Sequence, residues 1–95
     1  MSHNPLIEQY ELIRETHYRF DNIEPKIKSR IYKIIKGAKS QYTWEANYYC
    51  RLESEGSVYT PGSPFGSTLE EIEYKLDSYM SRFEQAISWS VNNSF

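Results

Sequence analysis

The sequence predicts a small α+β domain. It has one or two N-terminal helices over residues 5–21 and 22–36, a β-hairpin over residues 41–53 and 57–60, and a long C-terminal helix over residues 68–91. Three patterns predict it. The stretch QYTWEANYYCRLE alternates apolar and polar residues, which is the signature of a strand with one covered face. Apolar residues recur at spacings of three and four both before it and after it. A run of capping residues, Ser67-Thr68-Leu69-Glu70-Glu71, separates the hairpin from the last apolar stripe.

The first helix opens at Asn4-Pro5, an N-cap followed by the proline that suits a first helical position. Leu6, Tyr10, Ile13, His17 and Phe20 form its stripe, which makes His17 a half-buried core histidine. Asp21 with Glu24 reads as a variant capping box, and Pro25 fits the first turn of a second helix that Gly37 stops. Ile23, Ile27, Ile31 and Ile34 continue the same phase, so one long kinked helix is the alternative to two short ones.

In the strand, Tyr42, Trp44, Ala46, Tyr48, Cys50 and Leu52 take the covered face. Ser54 to Ser57 is the turn, Val58-Tyr59-Thr60 a short return strand that Pro61 ends, and Phe65 anchors the loop after it. Thr68 with Glu71, and Ser67 with Glu70, are overlapping capping boxes. Leu69, Ile72, Leu76, Tyr79, Phe83 and Ala86 then mark the C-terminal helix, thickened by Met80, Ile87 and Val91. A hairpin with unequal strands leaves an open edge, and a second copy covering that edge makes the expected state a homodimer.

Ninety-five residues make one domain with a thin core. A single cysteine, Cys50, excludes an intramolecular disulfide framework and a multi-cysteine zinc site. No basic segment leads into an apolar run at the N-terminus, and no apolar run has transmembrane length. The expectation is a cytoplasmic protein without a membrane partner.

Catalysis finds no inventory here: two histidines, one cysteine and no phosphate-cradling glycine motif give no converging set of groups. No cofactor or metal is implied. The acidic residues Glu70, Glu71, Glu73 and Asp77 read as caps and a solvated helix face rather than as a cation site. Two binding readings remain. Tyr49, Tyr59, Tyr74 and Trp89 have no place in the apolar stripes, and spare aromatics suit a protein partner. The expected function is therefore a non-enzymatic interaction module of adaptor, regulator or inhibitor type. The alternative is an anion or nucleic-acid contact. Residues 26–39 carry six bases and no acid, and on a helix Lys26, Arg30, Lys33 and Lys36 would form one cationic row.

Overall fold

The computed structural model describes residues 3–56 and 63–95. Its described elements are mostly strands: β1 (Gln9–Tyr18), β2 (Ile27–Lys36), β3 (Tyr42–Ala46), β4 (Tyr48–Arg51), β5 (Phe65–Gly66) and β6 (Ser88–Val91). One α-helix, α1 (Leu69–Ser81), is followed by a 3-10 turn at Arg82–Gln85. Strands β1-β2-β3-β5 form an antiparallel sheet in that order, and β4 and β6 form a second, two-stranded sheet.

The helices predicted over residues 5–21 and 22–36 are not formed; those residues make the β1–β2 hairpin. The reason lies in the spacing. Ile23, Ile27 and Ile31 stand four apart, a step that keeps residues on one side of a strand as well as of a helix. Ser29, between Ile27 and Ile31, is 1% exposed, so the buried row of β2 has a period of two. Four isoleucines and a tyrosine in ten residues then favour the pleated state. Asp21-Asn22 is a turn rather than a cap. Ile23 N–H donates to Phe20 O at 3.3 Å, and Asn22 takes a φ of 66°, a left-handed value that asparagine tolerates. Gly37, expected to stop a helix, instead leaves β2 at a φ of 132°, where a Cβ would stand 3.3 Å from Glu8 Cγ.

Within the stretch 41–53, Tyr42–Ala46 and Tyr48–Arg51 are extended, as the alternation predicts, Glu53 falls in a turn, and Trp44, Ala46 and Cys50 are buried. The stretch is not one arm of a hairpin. Asn47 divides it: β3 before it joins the large sheet and β4 after it the small one. The Asn47 side chain accepts from Lys28 N–H at 2.7 Å and donates to Lys26 O at 3.1 Å. Its backbone carbonyl accepts from Asn92 N–H at 2.8 Å. One residue thus pins β2, the β3–β4 junction and the C-terminal tail. The return strand predicted at 57–60 lies outside the described residues.

The helix predicted over 68–91 ends at Ser81. Its start is as expected at Thr68, whose Oγ1 accepts from Glu71 N–H, but Ser67 N–H and Oγ donate to the carboxylate of Glu71 rather than to that of Glu70. Beyond the 3-10 turn, Ile87, Trp89 and Val91 alternate with Ser88 and Ser90, and β6 pairs with β4. Here again an interval of four, Ile87 to Val91, fits both periods.

The core lies between α1 and one face of the large sheet. Ile27, Ile31, Trp44 and Ala46 of the sheet meet Ile72, Leu76, Tyr79, Met80 and Phe83. Each fully buried side chain of this size contributes about 1.5–3 kcal/mol. Phe20 stacks between Tyr18 and Phe83, with centroids at 6.2 and 5.6 Å, closing the end of the core near the β1–β2 turn.

Candidate functional site

The other face of the large sheet and its β1 rim carry what the core leaves over. Directly opposite residues share a face, so the ladder places Leu12 with Tyr32 and Tyr10 with Ile34 on the side away from α1. Tyr10 meets Tyr32 edge-on at 6.2 Å, and Ile34 is buried there, outside the main core. A hollow of about 300 Å³ lies beside them, lined by Tyr10, Tyr32, Thr43, Glu45 and Phe65. Phe65, expected to anchor its loop, is 38% exposed. The loop is held by backbone instead: Pro64 O accepts from Trp44 N–H and Thr43 Oγ1.

Toward the other end of this face runs a polar chain. His17 Nε2 lies 2.8 Å from Glu15, Arg30 Nε donates to Glu15 at 2.7 Å, and Tyr32 donates to Glu45 at 2.9 Å. Arg30 also stands 3.8 Å from Glu45, and the Phe95 ring covers its guanidinium at 3.9 Å. Hydrogen bonds from Arg30 first, and then from His17, hold the Glu15 carboxyl down to about 2. Burial, then the bond to Glu45, pushes the Tyr32 hydroxyl up. These groups satisfy one another, which makes the chain a tie across β1, β2 and β3. His17 is exposed rather than a core histidine, because it lies on a strand face and not in a helical stripe.

The rim itself is β1. It stands at the end of the sheet, and only β2 pairs with it among the described residues. Tyr10, Leu12 and Ile13 are exposed, with Leu6 and Ile7 before them and Ile35 beside them. Ile13 is a bulge: Leu12 pairs with Tyr32 and Arg14 with Ile31, leaving Ile13 without a partner on β2. Past the bulge the faces swap, so Arg14 turns toward α1, where it stands 3.9 Å from Glu73. Glu11 is exposed, and although it faces Lys33 across the ladder, no ion pair forms between them.

The residues singled out from sequence are scattered. Tyr74 projects from α1 and is 75% exposed. Tyr49 and Trp89 are half-buried against the core, on β4 and β6, and Tyr59 lies outside the described residues. The cationic row of Lys26, Arg30, Lys33 and Lys36 required a helix. In the extended chain Lys26, Lys28 and Arg30 fall on one side, Lys33 turns to the other, and Arg30 is taken up by Glu15. Cys50 is fully buried, and burial pushes its thiol up, as a small core hydrophobe should behave.

Tyr10, Leu12 and Ile13 emerge as surface residues only in the structure. The signal available beforehand was that Ile7 and Leu12 fitted no helical stripe. Among the described residues no group of three His, Cys, Asp or Glu side chains is placed to hold a metal ion. None of their helices is long and apolar enough to cross a membrane. Among the described residues, the fold and its surface define a small β-rich domain with one α-helix and an open, apolar sheet edge. Comparison of the chain with family models, curated proteins and solved structures finds no match.

Proposed function

We propose that the chain is a non-enzymatic protein-interaction module, an adaptor, regulator or inhibitor, that binds its partner by strand addition at β1. One observation carries this reading: a ten-residue edge strand with Tyr10, Leu12 and Ile13 exposed, extended by Leu6 and Ile7. Unpaired N–H and C=O groups along such an edge supply affinity, and the side chains beside them supply selectivity. Edges of this kind are often blunted with lysine or proline, and β1 contains neither; its guards are the Ile13 bulge and the charges of Glu11, Arg14 and Glu15. Tyr10 adds an aromatic contact with little entropy to lose, and Tyr74 offers a second on the helix. The working compartment is the cytoplasm, a setting in which the single buried thiol of Cys50 stays reduced.

The test is affinity capture from the native host with the wild-type chain and with the double variant Leu12→Lys/Ile13→Lys, both nuclease-treated. Proteins identified by mass spectrometry should be lost with the variant and should survive a salt rise from about 50 to 200 mM, which would strip a phosphate-driven contact. Retention of the same proteins by the variant would rule out β1 as the docking edge.

A further inference from the structure

We infer that the β1 edge is built to pair with β1 of a second copy, antiparallel about a two-fold axis between Leu12 and Ile13. This rests on the reading of β1 as the docking edge and names its occupant in the chain by itself, one that a host protein adding a strand there would have to displace. The bulge supplies the argument. Because Ile13 interrupts the alternation, Tyr10, Leu12, Glu15 and His17 share the outer face, while Glu11, Arg14, Thr16 and Tyr18 share the inner one. A regular strand laid along the free edge stays in step on both sides of Ile13 only by leaving Ile13 unpaired, as β2 does. A second copy brings the same irregularity, turned by the two-fold.

The register that follows places Leu12 against Ile13 of the other copy, Glu11 against Arg14, Tyr10 against Glu15, and Glu8 against His17. Glu11 with Arg14 and Tyr10 with Glu15 then each join residues of one face, while Glu8 and Ile7 precede the strand. Glu11 with Arg14 joins opposite charges, adding a second carboxylate to an Arg14 that stands 3.9 Å from Glu73, and symmetry repeats the pair. Continued outward, the register seats Ile7, 73% exposed, against Tyr18. Neighbouring registers lose this match. Moving the axis to Leu12 or to Ile13 sets outer residues against inner ones, and the latter also opposes Glu11 and Glu15. Moving it a whole residue toward the C-terminal end of the strand keeps the faces but separates Glu11 from Arg14. Self-complementarity of this kind is what a two-fold interface requires.

The experiment is size-exclusion chromatography with light scattering at about 100 μM chain, where mass action favours association. The wild type should run at twice the chain mass of 11.3 kDa. Glu11→Arg and Arg14→Glu each place like charges opposite one another at two symmetric points. Each should weaken the dimer roughly tenfold or more, with an unchanged far-ultraviolet spectrum. The first variant is basic at both positions and the second acidic at both. Mixed in equal amounts, they set opposite charges against one another at both points again, and the dimer should return.

A wild type at the mass of a single chain overturns the inference, and so does a mixture no better associated than its components. Failure here is separable from failure of the proposed function. A monomeric wild type whose captured proteins still depend on Leu12 and Ile13 removes the self-pairing alone. An intact dimer whose captured proteins ignore those substitutions removes the partner-binding reading alone.

Discussion

β2 has two neighbours, and different forces hold them. Toward β3 it pairs at five positions, and Trp44 and Ala46 of that ladder are buried beneath α1. Toward β1 it pairs at nine positions, yet β1 has only Thr16 and Tyr18 partly covered. Each backbone hydrogen bond adds about 0.5–1.5 kcal/mol net, whereas a buried large side chain adds about 1.5–3. Pair for pair, the longer ladder is therefore the weaker attachment. Stability resides under the helix, and the outer strand is left with surface to use.

The sharpest way to test this division is to open the helix-covered side. Phe83 is 1% exposed, stacked on Phe20 and edge-on to Tyr79 at 5.8 Å. Phe83→Ala should cost about 3–5 kcal/mol in urea unfolding, much of a small domain's stability. Thr68→Ala acts on the same side but only at the helix entry. It removes the acceptor of Glu71 N–H and should cost about 0.5–2 kcal/mol in the same measurement.

The helix entry is also where the sequence was most legible, and its contrast with β2 explains why. Leu69, Ile72, Leu76 and Tyr79 are separated by three, four and three, and the odd steps change sides on a strand, so only a helix gathers them. Capping residues then mark the start. In Ile23, Ile27 and Ile31 every step is even and decides nothing; β-branching and the small buried Ser29 were the better guides. The stripe Leu6, Tyr10, Ile13 and His17 did contain an odd step, Tyr10 to Ile13, and it spans the bulge. A bulge in a strand imitates a helix in the spacing of apolar residues. The inward row of Trp44, Ala46 and Cys50 was readable because its alternation has no such break. The split at Asn47 was not, since it depends on bonds to Lys26, Lys28 and Asn92, distant in the chain.

Between the two sides stands Glu15, which ties β1 to β2 through Arg30. Its carboxyl, ordinarily near 4.5, is held at about 2 in the folded protein. A depressed carboxyl favours the folded state above its unfolded value, and that contribution fades as pH falls from 4.5 toward 2. Glu15→Gln should flatten the acid side of the stability profile, seen as a smaller loss of urea midpoint between about pH 5 and pH 2.5. Glu55, lowered by Arg82, and Glu71, lowered by Ser67, keep part of the slope in the variant.

The smallest expected effect on stability is at the rim, and it discriminates most. Leu12 is 55% exposed and Ile13 41%, so Leu12→Lys/Ile13→Lys removes little buried surface and strands no buried polar group. At a chain concentration low enough that both proteins are single chains, the double variant should unfold within about 0.5 kcal/mol of the wild type, because surface changes away from caps and cores are close to neutral. If β1 were held as β3 is, the cost would approach that of a core substitution. A near-neutral unfolding curve, set beside lost association in the same preparation, would mean that the apolar residues of β1 serve contacts outside the chain. A cost of several kcal/mol would instead place them within the fold.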